Sequence, residues 1–284
     1  MQEERPSRTA QRVAVRRAVH QILDNPRVFE DPVALAILGV EAEAELRADA
    51  ARPQPLGAQI LRAFMAVRSR FAEDELAHAI HRGATQYVVL GAGLDTFAYR
   101  NPWHDRGLRV FEVDHPATQT WKRHRLDAAR IAIPSSLTFA PVNFESQSLA
   151  DGLQLAGFQP DAVTFFSWLG VVPYLTHISV QTTLRFIAAM PPGSGVVFDY
   201  ARPRESLNEA ERLAFDNLAR RVAAAGEPFQ TFFDPPALTE ELRRMGFRQI
   251  EDLGSTVINA RYFQNRTDGL ALMGDAAHLL CAQV

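Results

Sequence analysis

A single cysteine, Cys281, stands in the 284-residue sequence. No intrachain disulfide and no cysteine-based zinc site can therefore form. No stretch approaches the roughly 18 consecutive apolar residues of a membrane span. Met1–Arg8 is polar and charged, with no apolar signal core behind it. Excess positive charge is also missing. Thirty basic side chains face 33 acidic ones, for a net charge of −3, so nothing predicts a polyanion-binding surface or a nucleic-acid partner. Histidines, cysteine and carboxylates nowhere fall at a metal-ligand spacing, which predicts no metal. Internal repeats, low-complexity tracts and heptad seams are absent as well. These absences leave a soluble, cytoplasmic globular protein as the expectation. Its 47% hydrophobic and 22% charged residues fit that class.

What is present is organised around Gln86–Arg100, QYVVLGAGLDTFAYR. Tyr87-Val88-Val89-Leu90 is a short apolar run rich in β-branched residues, suited to a strand buried on both faces of a parallel sheet. Gly91-Ala92-Gly93 follows at once and lets the backbone turn tightly and pass close to a ligand. Asp95 and Thr96 can cap the next helical turn. Before this strand lie about 80 residues of helix. Thr9–Asp24 reads as a helix with Thr9 as N-cap, and Asn25-Pro26 stops it. Asp31-Pro32 opens another that runs to Leu38, with Asp31 as N-cap. Glu41–Ala51 is a third. Leu56–His81 is a long amphipathic helix with Ile60, Phe64, Val67, Phe71, Leu76 and Ile80 near helical spacing, ended by Gly83. Residues 1–82 are read as a helical lid and 83–284 as the core.

From residue 86 onward β and α patterns alternate. Strands are expected at Leu108–Val113, Leu137–Val142, Ala162–Phe166 and Gly195–Phe198. Helices are expected from His115-Pro116 to about Ile131, and at Leu149–Ala156, Thr176–Met190, Leu207–Ala225 and Pro235–Met245. Phe247–Leu253 and His278–Val284 read as a final antiparallel pair. The alternation argues for an α/β fold with a doubly wound, mostly parallel seven-stranded sheet.

Ligands of such sheets lie across the carboxyl ends of the strands. Strand one ends in the glycine turn. Strand two ends in Asp114, about 20 residues beyond the glycines, where a carboxylate can accept hydrogen bonds from ribose hydroxyls; the same residue could also be an ordinary helix N-cap. Strand three ends in Asn143-Phe144, an amide and a ring that could meet adenine, or a turn residue and a core aromatic. Strand four runs into Ser167. A dinucleotide site needs a third glycine beneath its pyrophosphate. Gly91-Ala92-Gly93-Leu94-Asp95-Thr96 has none, and it puts an acid where phosphate would need helix N–H groups. A ligand without phosphates, such as S-adenosylmethionine, suits this turn better.

GAGLDTFAYR, then FEVDHP, then SWLGVVPYL closely resembles the leucine carboxyl methyltransferase family of S-adenosylmethionine enzymes. That family includes a bacterial branch of O-methyltransferases associated with polyketide and other small-molecule pathways. TAQRVAVRRAVH…FEDPVA and VRSRFAED resemble its lid and pre-sheet helix, and the likeness spans about residues 9–200. The resemblance implies a class I, Rossmann-like methyltransferase core. It implies that Arg68 pairs with the carboxylate of the cofactor, a planar bidentate task suited to a guanidinium. It sets Gly91, Ala92 and Gly93 against the methionine part, with Asp95 following, and Asp114 on the ribose with His115 beside it. Asn143 and Phe144 stand where the family has Asp-Leu beside adenine. Ser167 completes the set, and Arg17 matches a basic lid residue that closes over the cofactor, with Arg16 as neighbour. Leu169 departs from the family: protein-methylating members carry a glutamate there.

The implied reaction is in-line methyl transfer to an oxygen, governed by alignment and exclusion of water. A carboxylate acceptor is ionised at neutral pH and needs no base, whereas a phenol or alcohol does. Candidate bases are His20 on the lid and Tyr174 and Tyr200 near strand ends, with His115 next to the ribose site; the two tyrosines otherwise line an acceptor pocket. The FQTFF stretch at 229–233 borders that pocket or belongs to the core. A small-molecule acceptor is expected. Protein-tail methylation, a cofactor-binding protein without transferase activity, and a nicotinamide-dependent oxidoreductase are the alternatives.

Overall fold

The computed structural model describes residues 7–143 and 147–284. Among the described residues three α-helices precede the sheet: α1 (Arg8–Leu23), α2 (Val40–Asp49) and α3 (Leu56–His81). The sheet strands are β1 (Gln86–Leu90), β2 (Arg109–Asp114), β3 (Leu137–Pro141), β4 (Thr164–Trp168), β5 (Gly195–Ala201), β6 (Gln249–Leu253) and β7 (Ala277–Gln283). Between them run α4 (Pro116–Ala128), α5 (Leu149–Leu155), α6 (His177–Ala188), α7 (Glu209–Ala223), α8 (Pro235–Met245) and α9 (Ser255–Tyr262). The strand order is β3-β2-β1-β4-β5-β7-β6. The first five strands pair in parallel, and β7 lies antiparallel between β5 and β6. This is the doubly wound, mostly parallel seven-stranded sheet that the alternation predicts, including its antiparallel edge. The order reverses between β1 and β4, and the carboxyl ends there form the crevice where such sheets take ligands.

Side-chain alternation divides the sheet into two dry faces. Tyr87, Val89, Val110, Phe165 and Val197 meet α3 and α9 on one face. Val88, Leu90, Phe111, Phe166, Trp168 and Phe198 meet α5, α6 and α8 on the other. Each fully buried Phe or Leu contributes about 1.5–3 kcal/mol by leaving water. α3 turns Ala63, Ala66, Val67, Phe71 and Leu76 toward the sheet. It ends as expected at Gly83, φ +105°, where Ala84 N–H returns to Ala79 O. A third apolar cluster, with Ala14, Ala18, Ile37, Leu38, Leu94 and Leu126, seats α1 on the core.

Several local expectations change. The cap of α1 is Ser7, whose Oγ accepts from Ala10 N–H at 3.1 Å, rather than Thr9. Asp31 accepts from Val33 N–H, yet turns and a 3-10 helix at Ala36–Leu38 follow instead of an α-helix. The segment is short before Gly39 swings to φ +88°, and the other Asp31 oxygen is engaged elsewhere. α9 was not expected. Its β-branched Thr256, Val257 and Ile258 are weak helix formers, and burial of Ile258 against the sheet supplies what propensity does not. β5 continues past Phe198 through Asp199 and Tyr200, because β7 pairs alongside as far as Ala201↔Ala277.

Candidate active site

A cavity of about 440 Å³ opens over the carboxyl ends of β1, β2 and β4. Volumes of this size are typical of small-molecule sites. Its floor is the glycine turn. Gly91 (φ +65°) and Gly93 (φ +47°) hold conformations that side chains rarely take. A Cβ on Gly91 would overlap Val171, and one on Gly93 would lie 2.9 Å from Cβ of Ala10 on α1. So the lid helix sits directly on the turn, and both glycines are fixed by close approach. Ala92, between them, anchors its N–H on Val113 O.

Asp114 reaches back to this turn. Its Oδ2 accepts from Gly93 N–H at 2.6 Å and its Oδ1 from His115 N–H at 2.7 Å. Burial pushes the Asp114 carboxyl up, against these two N–H groups, which favour the charged form. The N-cap of α4 is His115, whose Nδ1 accepts from Ala117 N–H, so the cap role does not fall to Asp114. Asp95 Oδ1 accepts from Phe97 N–H. Asp114, His115, Asp95, Asn143 and Ser167 all line the cavity. The Ser167 Oγ accepts from Tyr87 O–H at 2.8 Å. Phe144 lies outside the described residues.

Arg68, from α3, also lines the cavity. Its Nη1 donates to Asp199 Oδ2 at 3.2 Å, and Asp199 Oδ1 accepts from Gly170 N–H at 2.5 Å. Gly170 is at φ +70°, and a Cβ there would sit 2.7 Å from the guanidinium. Arg68, Asp199 and Gly170 therefore form one unit that presents a fixed cation. Asp199 was not singled out from the sequence. The usable signal was the burial of an arginine on an apolar helix face, which requires a carboxylate opposite.

The lid is clasped by buried charges. Arg17 lines the cavity and donates to Asp31 and to Thr96 Oγ1, with Asp95 Oδ2 at 3.6 Å. Thr96 O–H donates to the same Asp31 oxygen at 2.7 Å, so it fastens the lid rather than capping a helix. Arg100 pairs with Glu73 and lies 3.5 Å from Asp31. Arg16, the neighbour of Arg17, does not line the cavity.

Two candidate bases are placed elsewhere. His20 is fully buried. Its Nδ1 meets Asp24 Oδ2 at 2.6 Å and its Nε2 accepts from Val28 and Phe29 N–H. Both nitrogens thus hold the chain that follows α1, and Arg62 closes on Asp24 at 2.8 Å from two sides. Tyr200 is also buried, within β5, and donates to Asp252 at 2.6 Å beside His278. It does not line the cavity. Tyr174 does. Burial holds its hydroxyl up at about 12, with Arg68 pulling down and Glu227 and Asp199 pushing up, so it stays a neutral donor at physiological pH. Of the FQTFF stretch, Phe229 packs on Tyr174 with ring centroids 5.3 Å apart, and Gln230 reaches the cavity itself. Among the described residues no cluster could hold a metal and no helix is long and apolar enough to cross a membrane.

The glycine turn without Cβ atoms, a carboxylate on the second strand and a buttressed arginine fit an adenosine, a ribose and an amino-acid tail. The model of the leucine carboxyl methyltransferase family matches residues 10–188. A Bacillus subtilis protein named "Putative S-adenosyl-L-methionine-dependent methyltransferase YktD" is 33% identical over 292 residues, covering 95% of this chain and 96% of that one. A Mycobacteroides abscessus protein of the same description is 30% identical over 237 residues, covering 77% and 73%. The solved structure of a Thermobifida fusca methyltransferase, also named as putative, superposes with a TM-score of 0.56 at 16% identity over 91% of this chain and 96% of that one, a likeness of fold. The chain belongs to the leucine carboxyl methyltransferase family and is an S-adenosylmethionine-dependent methyltransferase.

Proposed function

We propose that the protein transfers the methyl group of S-adenosylmethionine to an oxygen of a small molecule, a carboxylate or a phenol or alcohol, in specialised metabolism of the polyketide kind. The observation that carries this reading is one cavity whose lining combines two sets of residues. One set is the glycine turn, Asp114 and the Arg68–Asp199 unit, read as the cofactor end. The other is Thr9, Tyr174, Thr176, Ser179, Glu227 and Gln230, contributed by α1, the loop after β4, α6 and the 226–230 segment and read as the acceptor end. A cavity of this size suits a small acceptor.

When bound, S-adenosylmethionine supplies a methyl group already activated on its sulfonium. The task left to the chain is to hold and align. Arg68 would pair with the tail carboxylate, Asp114 would accept from the ribose hydroxyls, and Asn143 would face the base edge. α1 and its Arg17 clasp exclude water from the cavity, which strengthens every polar contact within it. A base is needed only for a hydroxyl acceptor.

Isothermal titration with S-adenosylmethionine and S-adenosylhomocysteine tests the cofactor half. Asp114→Ala and Arg68→Ala should each weaken binding by about 1.5–3 kcal/mol, tenfold or more, as expected for loss of a charge-assisted hydrogen bond. Unchanged affinity in both variants would remove the two anchors from this reading. Radiolabelled methyl transfer to a panel of carboxylic acids, phenols and amines tests the oxygen preference, and transfer to amines alone would overturn it.

A further inference from the structure

We propose that Glu227 selects the acceptor: its carboxylate takes a hydrogen bond from a neutral hydroxyl-bearing molecule and turns carboxylic acids away. The inference rests on the methyltransferase reading above and narrows it from either oxygen acceptor to the phenol or alcohol class.

Glu227 lies just beyond α7, in a segment pinned to the loop after β4. Gln230 N–H donates to Pro173 O at 2.7 Å and its side chain to Tyr174 O. That pinning sets the Glu227 carboxylate into the wall of the cavity. Its Oε1 accepts from Ser7 Oγ at 2.9 Å. Its Oε2 is buried and has no hydrogen-bond partner among the described residues. Thr9, also on the cavity wall, stands beside the Tyr174 hydroxyl. A buried carboxylate oxygen left unpaired costs its full desolvation, and none of the described residues returns it. A ligand that donates there would.

The charge balance of the cavity specifies which ligand. Among the described residues its lining holds two arginines, and both are committed elsewhere: Arg17 to Asp31 and Thr96, and Arg68 to Asp199. The one partner of Glu227 is the uncharged Ser7 hydroxyl. A carboxylate acceptor would therefore meet a like charge with no cation among the described residues to bridge the two. A phenol or alcohol instead brings the missing donor to Oε2, and Tyr174, kept protonated by its burial, offers a second hydroxyl to the same oxygen-bearing ligand. The aromatic pair Tyr174–Phe229 supplies an apolar flank.

The test uses the full chain loaded with S-adenosylhomocysteine and two probes of one shape, 2-naphthol and 2-naphthoate. Near pH 7 the first is neutral and the second ionised. Titration calorimetry should find naphthol bound about tenfold or more tighter than naphthoate. Glu227→Gln should remove most of that gap by admitting naphthoate, and Glu227→Lys should reverse it, while both variants keep the wild-type affinity for S-adenosylhomocysteine. Equal affinities in the wild type, binding of neither probe, or a gap unchanged in both variants would overturn the proposal. Failure of the underlying methyltransferase reading would show separately, as absent binding of S-adenosylhomocysteine by the wild type.

Discussion

The proposed cofactor end and the proposed acceptor end of the cavity are built on opposite plans. At the cofactor end the carboxylates and the serine have protein partners: Asp114 holds two backbone N–H groups, Asp199 holds Arg68 and Gly170, and Ser167 holds Tyr87. At the acceptor end Glu227 Oε2 has none among the described residues. The cofactor end stands on strand ends fixed by the sheet. The acceptor end hangs from α1 and two loops. Pre-organisation keeps a site ready for one ligand of fixed shape, whereas unsatisfied groups on loops leave the second ligand to complete its own site.

The largest break in this contrast should come from beneath the cofactor end. Lys122 on α4 and Glu112 on β2 form a pair whose side chains are each 1% exposed, 2.6 Å apart. Burial pushes the Glu112 carboxyl up even as Lys122 opposes it. Lys122→Met strands Glu112 and should cost about 3–5 kcal/mol in chemical denaturation, with much of the loss recovered in the double variant that also carries Glu112→Leu. A loss below about 1 kcal/mol would mean that β2 needs no such brace.

A smaller effect should separate the ends by pH. Burial alone would raise Asp24 and Asp31. For Asp24 the His20 and Arg62 hydrogen bonds outweigh it, and for Asp31 the Arg17 and Arg100 charges do, so both carboxyls are held below the ordinary range. Groups depressed in the folded state stabilise it above their unfolded value, about 3.9, and that stability is lost as pH falls through the folded values. The α1 clasp should therefore be intact from neutrality down to about pH 5 and loosen below about pH 4. His278 has the opposite sign. Burial lowers it, but Asp252 and Asp275 raise it further, so its contribution is complete below about 6.5 and is lost as pH rises through the folded value. Amide exchange should show α1 opening first in acid and the β6–β7 edge weakening toward alkaline pH. A clasp that opens together with the whole sheet would contradict a separately held lid.

The smallest effect belongs to the seam between the ends. Ser7 caps α1 and donates to Glu227. Ser7→Ala should cost about 0.5–2 kcal/mol of local stability, seen as faster exchange in the first turn of α1 with cofactor affinity little changed. No change in exchange would assign the closure to the Asp24 and Asp31 clasp alone.

The same division governs what the sequence discloses. Strand β1, the glycine turn and Asp114 are contiguous or set by one βαβ spacing, so periodicity and local chemistry place them. Arg68 and Asp199 are 131 residues apart, and only the packing of α3 across β5 unites them. Asp31 looks like a cap because its neighbours are Pro32 and Val33, yet its second oxygen serves Thr96, 65 residues on. His20 and Tyr200 have the chemistry of bases, but burial and saturated hydrogen bonding make them structural. The acceptor end is assembled from residues near 9, 174 and 227, and no local pattern in any of these segments refers to the others.

α1 spans both ends: Ala10 rests on Gly93 and Ser7 reaches Glu227. One helix therefore touches both the glycine turn and the Glu227 segment, so strain placed on its first turn is felt at two places that no strand connects.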